Sequence, residues 1–384
     1  MKEKNNIVYI FLTFLPFIGI LPKSIQMLVI LFVFFIYLFK NKGKVLIDKA
    51  VVPFIICEVI HICSVLFYII RVGSFERVAA AINTISIWFV SCFIFSYLKK
   101  EKLDINKINK IAFFNIVILI FLSVIMLLIK SKMNITILGR NLIGIDWLNG
   151  NKEYRLLGFF EYSNLIVMET FMWMPFVINY LTKMKFKILK IIIFFACFLP
   201  IILTNSRIGI ILSVIYFFIT FSSIICFSKE KKFFFILVSM VAFLGVLFLY
   251  YNEIYSKIME IINSRGSSTS MRFLIYQSSI EKALKESPII GIGVKEFINM
   301  YPLGSHSTFI GFFYKTGFIG LFFSILGFKN IYNKISAKRN LLYKISYICL
   351  LIVLCVEDLD GANWMIALFF ILLSVFLEGN EEYE

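Results

Sequence analysis

Histidine occurs only twice in these 384 residues, and charged residues make up just 16% of the chain against 60% hydrophobic. Soluble domains carry about 25% charged and about 45–50% apolar residues. A soluble globular protein is thereby excluded, and an integral membrane protein is implied. No two cysteines form a CxxC pair. Cys57, Cys63, Cys92, Cys197, Cys226, Cys349 and Cys355 all fall within apolar runs, so neither disulfides nor a metal site is expected. They read as small apolar core residues. No A-x-A-like site follows Met1 to Asn6, so the first apolar run is an uncleaved span rather than a signal peptide. Internal repeats and low-complexity tracts are missing as well. The net charge of +16 does not point to nucleic acid, because the positive residues sit in short clusters between apolar runs.

Twelve apolar segments are present, at roughly 7–21, 24–39, 50–70, 78–98, 110–129, 160–181, 188–204, 207–227, 233–251, 306–328, 342–356 and 363–377. Each is judged by the length needed to cross hydrocarbon. The first two are short and joined only by LPK, which also suits a re-entrant pair. None alternates with period two, so a barrel is excluded and helices must satisfy the backbone within the bilayer. An all-α polytopic protein of about twelve spans, one transmembrane domain over 1–384, is the expected fold.

Lys and Arg set its orientation. Alternate loops and the N-terminus hold 23 of them, and the short loops on the other side hold four: Lys23, Arg71, Arg77 and Arg207. Both termini are therefore expected in the cytoplasm. Two long connections, about 130–159 and 252–305, then lie outside, and loops of that length are usually functional. The second carries an amphipathic helix, SSTSMRFLIYQSSIEKALKES, with Met271, Leu274, Ile275, Ile280, Ala283 and Leu284 as its apolar side and Pro288 as its stop.

Candidate chemistry gathers on that outer side. His306 opens the tenth segment, Arg207 (in TNSRIG) opens the eighth, Arg272 starts the loop helix, and Arg155 precedes the sixth segment. Guanidinium grips phosphate oxygens bidentately and stays charged. Imidazole titrates near neutrality. Converging on one face, they would hold a membrane-borne anion beside a base. Singly, each also suits an interfacial anchor. The acids of EDLD, Glu357, Asp358 and Asp360, read as a solvated turn, with holding an arginine or a sugar as the alternative; Glu161, Glu253 and Glu260 are scattered. Within the spans, Glu58 and His61 share a helix face. Intramembrane charge is by default a candidate for function; the alternative, preferred for Lys315, is a structural pair with Glu169 or Glu58.

The order of motifs resembles the bacterial O-antigen ligase and repeat-unit polymerase (Wzy-type) superfamily. RFLIYQSSIEKALKESPIIGIGVKEF matches an Arg-led external helix running into a Pro/Gly turn, with Pro288, Gly291, Gly293 and Phe297 in place. GSHSTFIGFFYKTGFIG matches a helix start with His306, Gly317 and Gly320. Ser206, Arg207 and Gly209 match an SRxG stretch. Arg155, Gly158, Phe160 and Asn164 match an RxxGxFxxpN stretch. Ser307 stands where the family usually has Asn, and Ser163 where it has Pro.

The resemblance implies a GT-C-like membrane glycosyltransferase using a polyprenyl-diphosphate donor, with no cofactor or metal. Arg207 and Arg272, with Arg155, would bind the diphosphate, and His306 would orient or deprotonate the acceptor hydroxyl. The active site would face outward from the cytoplasmic membrane. Implied partners are lipid-linked donor and acceptor, membrane lipid, and a flippase and chain-length regulator. Polymerase and ligase are not separated by these motifs. A lipid-linked sugar flippase is the alternative of another class, and would predict charges lining a central path between two related halves.

Overall fold

The computed structural model describes residues 6–73, 75, 77–129, 135–148, 151–225, 256, 266–298, 301–338 and 340–378. The chain forms two compact units, Met1–Ile111 with Arg272–Glu384, and Ala112–Met271. The first unit opens with α1 (Asn6–Thr13), α2 (Leu15–Ile20), α3 (Lys23–Lys40), α4 (Val52–Val72) and α5 (Val78–Glu101). Helix α6 (Ile105–Ile129) runs from it into the second. There follow short strands β1 (Thr136–Ile137) and β2 (Arg140–Asn141), the ribbon β3 (Ile143–Leu148) with β4 (Asn151–Leu156), and helices α7 (Asn164–Thr182), α8 (Lys187–Ala196), α9 (Leu199–Leu203) and α10 (Arg207–Ile225). Helix α11 (Gly266–Glu286) returns to the first unit. The remainder is β5 (Phe297–Ile298), β6 (Tyr301–Pro302), α12 (Thr308–Ala337), α13 (Leu341–Val356), a 3-10 turn Leu359–Gly361 and α14 (Asn363–Glu378).

Among the described residues, α3, α4, α5, α6, α7 and α12 are long and apolar enough to cross a membrane, and Arg207–Phe221, Leu341–Val356 and Asn363–Leu377 are shorter apolar helices. This is a helical, polytopic membrane protein. Helix is not the whole of it: among the described residues, three antiparallel two-stranded ribbons occupy the connections, where the sequence reading expects only helices. The first apolar run is broken at Phe14, next to Pro16. The seventh is broken at Cys197 and Phe198, with Pro200 in the first turn of α9. Proline tolerates a helix's first turn and not its interior. The tenth continues well past residue 328. The ninth segment (233–251), the loop 228–232, Cys226, Glu253 and Glu260 lie outside the described residues.

Local chemistry sets the helix ends. Gly73, at φ +68°, closes α4 by donating to the Ile69 carbonyl at 2.9 Å, a left-handed cap that glycine adopts without a Cβ clash. Asn340 caps α13, its Oδ1 accepting from the Leu342 and Tyr343 amides. In the first unit α12 packs on α4, and α14 packs on α5. Phe54 stands edge-on to Phe328 and Phe370, and Trp88 edge-on to Phe312 and Phe370, at centroid distances of 5.0–5.5 Å; such offset aromatic pairs add to simple burial. In the second unit α7 is buried along nearly its whole length and α10 packs against it.

Candidate active site

Helix α11 presents a different face from the one its apolar residues suggest. Ile275, Ser279 and Ala283 are fully buried, while Leu274, Ile280 and Leu284 are exposed. The inner stripe has a polar member because Ser279 is a connector: its Oγ accepts from the Gly304 amide at 2.8 Å and donates to the Ile275 carbonyl. That bond draws the segment before His306 onto α11. One turn after Arg272, Tyr276 donates its hydroxyl to the His306 carbonyl at 2.5 Å. Arg272 and His306 are thus neighbours in the first unit.

His306 itself sits at φ +62°, a left-handed conformation that is uncommon outside glycine. Strained backbone of this kind gathers at functional sites. Ser307 follows as the N-cap of α12, its Oγ accepting from the Ile310 amide at 3.3 Å. Asn and Ser are both strong N-caps, so the departure from the family's Asn keeps the capping role. Burial and the nearby Arg272 guanidinium, with Lys295 adding to them, push the His306 imidazole down to about 4, against an opposing pull from Asp358. Its neutral form, able to accept a hydrogen bond, prevails at pH 7.

EDLD is not a solvated turn. Glu357, whose side chain is 4% exposed, holds Arg272 Nη1 at 2.9 Å, and the same nitrogen donates to the Val356 carbonyl at 3.1 Å. Asp358 holds Lys295. Asp360 takes Lys315 and the Trp88 indole N–H, the latter at 2.7 Å. Asp360 is held well below the usual carboxylate range: burial alone would raise it, and Lys315 and Lys295 outweigh that. The Glu357 carbonyl accepts from the amide and hydroxyl of Thr308, at 3.0 and 2.8 Å, tying the turn to the start of α12. Three acids bind three cations from three parts of the chain, and at Glu357 the alternative reading, that the turn holds an arginine, is the one observed. The expected pairing of Lys315 with Glu169 or Glu58 is therefore corrected. Glu58 contacts His61 at 3.2 Å, and Glu169 accepts from Trp173 at 3.3 Å.

In the second unit, Arg155 lies on β4 opposite Gly144. A Cβ at 144 would come within 3.1 Å of Arg155 Nε, so that glycine gives the guanidinium its room. Arg207 begins α10, and Ser206 caps it by accepting from the Gly209 amide at 3.3 Å. Asn205, two residues before Arg207, donates to the Tyr154 carbonyl at 3.4 Å. The turn carrying Arg207 therefore lies against the strand carrying Arg155. Glu161 pairs with Arg140 at 3.0 Å. Ser163 has φ −62°, a value proline also adopts, so its replacement of the family's Pro is conformationally mild. The four residues singled out from the sequence thus form two pairs, Arg272 with His306 and Arg155 beside Arg207.

No curated protein matches the chain. Residues 192–325, which contain Arg207, Arg272 and His306, match the model of the family described as O-Antigen ligase.

Proposed function

We propose that this protein is a polysaccharide repeat-unit polymerase of capsule or O-antigen type. It transfers a glycan from a polyprenyl diphosphate to a sugar hydroxyl of the next lipid-linked unit, on the outer face of the cytoplasmic membrane. The observation that carries the reading is the fixed pair of Arg272 and His306 inside the family-matched stretch. Arg272 is anchored on one side by Glu357 and is still one-third exposed. His306 is neutral and held beside it by Tyr276.

In this reading Arg272 meets the donor diphosphate and the charge that grows as it leaves, and Arg207 with Arg155 are a second pair of cations suited to phosphate. The acceptor oxygen bonds to the anomeric carbon, and the carbon–oxygen bond to the diphosphate breaks with its electron pair. The hydroxyl proton passes to His306. An imidazole of such low proton affinity first orients the hydroxyl; the arriving negative charge of the departing diphosphate then raises its basicity. Fixed guanidiniums supply the positive charge, so transfer needs no metal, and EDTA leaves the rate unchanged; inhibition reversed by magnesium would overturn that point.

A ligase activity, moving a finished glycan to another acceptor, is the second reading, favoured by the family's own description. Purified protein given a synthetic lipid-diphosphate repeat unit separates them. A ladder of lengths supports the polymerase. A single transfer to a foreign acceptor supports the ligase. Movement across a vesicle wall without a new bond would mean a flippase and refute both.

A further inference from the structure

Helix α4 buries two titratable side chains that this chemistry leaves unused. Glu58 and His61 are each 1% exposed, and Glu58 Oε2 lies 3.2 Å from His61 Nδ1. The other ring nitrogen, Nε2, lies 2.8 Å from the carbonyl of Gly293. A carbonyl only accepts, so Nε2 carries a hydrogen. The Nδ1 contact then needs one further proton, held by either the imidazole or the carboxyl. In both cases the pair is net neutral, which is how it tolerates burial without Lys315.

The atom it grips is well placed. Gly293 ends the Ser287–Gly293 connection that leaves α11, and this connection is stitched into unit one along its length. Ser64, one turn after His61, donates to the Ile290 carbonyl. The Ile292 and Gly293 amides donate to the Tyr314 and Lys315 carbonyls at 2.8 and 3.0 Å. Those carbonyls are available because α12 is broken at Gly317, at φ +63° and ψ −163°. A Cβ at Gly293 would fall 2.7 Å from the Ser64 backbone, so the connection touches α4 directly. Upstream of the grip lies α11 with Arg272; downstream, Lys295 reaches Asp358, and the chain continues to His306.

We infer that His61, oriented by Glu58, is a positioning residue for glycosyl transfer: it latches the Gly293 carbonyl to α4 and so sets Arg272 and His306. The functional half of this inference rests on the activity proposed above; the latch itself does not. Glu58 matters because its contact keeps a proton between the carboxyl and Nδ1, which leaves Nε2 its hydrogen toward Gly293 in either case. Without that partner the ring is free to turn a lone pair toward Gly293, and the bond is lost.

The test uses full-length protein in nanodiscs and two readouts, amide hydrogen exchange at Ile292 and Gly293 and steady-state transfer. His61→Ala raises exchange at those amides about tenfold or more, as expected when a buried acceptor loses its donor. It lowers kcat about tenfold with KM within about twofold of wild type, because the donor still binds while the reacting groups are misplaced. His61→Gln, whose amide donates to the same carbonyl, recovers both. Where His61→Ala fails to insert, Glu58→Ala against Glu58→Gln gives the same contrast, since only the amide still donates to Nδ1. Unchanged exchange refutes the latch. Raised exchange with wild-type turnover refutes its role in the reaction, as does a well-folded His61→Gln that recovers neither. A wild type that transfers nothing sinks the transferase reading, and the exchange arm still decides whether His61 holds the loop.

Discussion

Lys315 and Asp360 form an ion pair in which each side chain is 4% exposed, and removing one partner has a calculable asymmetry. Asp360→Asn leaves a buried ammonium without its directly contacting counter-charge, with the Phe312 ring centroid 5.1 Å away. Breaking a buried pair from one side costs about 3–5 kcal/mol. Lys315→Met leaves Asp360 better supported. Trp88 still donates at 2.7 Å, and Lys295 stands 3.9 Å away. A buried polar group that keeps some partners loses about 1–3 kcal/mol. Removing both charges together spares either from isolation and lands nearer the milder single change. Equilibrium unfolding of the four proteins in one detergent gives the cycle. The expected order is Asp360→Asn far below Lys315→Met, with a coupling of about 2 kcal/mol or more. The reversed pair Lys315→Asp with Asp360→Lys recovers expression that either reversal alone destroys. Additive single effects, or equal ones, would refute the pairing and return EDLD to a solvated turn.

Much of the fold was legible because lipid leaves a helix few alternatives. Runs such as 50–70 and 78–98 have the length and apolarity of a span, and α4 and α5 appear there. Arg272 and His306 were also legible, since a cation and an imidazole are conspicuous in so apolar a chain. Their surroundings were not. Hydropathy assigned EDLD to solvent from the residue types, while its partners Arg272, Lys295 and Lys315 come from 45 to 85 positions away in sequence. The outward turn of Leu274, Ile280 and Leu284 was hidden for the same reason: what α11 buries is decided by Gly304 and Tyr276's partner, not by its own periodicity. The Pro/Gly turn after α11 is a closely packed joint. Gly291 and Gly317 meet backbone to backbone: a Cβ on Gly291 would lie 2.4 Å from the Lys315 carbonyl carbon, and one on Gly317 2.3 Å from the Ile289 oxygen. The spacing Pro288, Gly291, Gly293 and then Gly317 is thus one joint between a connection and a broken helix, and its letters are steric requirements rather than chemical ones.

The same geometry sets further outcomes at Arg272, His306 and Gly317. Arg272→Lys transfers nearly as poorly as Arg272→Ala, because an ammonium reaching Glu357 cannot also offer a planar fork to a diphosphate; wild-type product lengths from the lysine variant would refute diphosphate binding there. His306→Ala yields no long-chain product while still inserting. Its imidazole is depressed in the fold to about 4 from the usual 6.5, so between those values the unfolded chain binds the extra proton. Its contribution to stability is then full above pH 6.5 and is lost as pH falls toward 4. Unfolding measured from pH 7 to 4 shows this slope in wild type and a shallower one in His306→Gln; equal slopes would refute the burial. Gly317→Ala meets two obstacles together, a positive φ and the Ile289 carbonyl. At ψ −163° this backbone lies in a region essentially reserved for glycine, which alone costs alanine about 1–3 kcal/mol. The contact cannot be relieved by a rotamer, because both sides are backbone. Moving the connection away also breaks the Phe318 bond to the Pro288 carbonyl, 2.9 Å, and the Ile319 bond to Ile289, 3.2 Å. The variant therefore loses stability well beyond the about 1 kcal/mol typical of a point change, and amide exchange rises at residues 318 and 319 before it rises in α4. A stable Gly317→Ala with native exchange would show that α12 is continuous there and that the connection docks elsewhere.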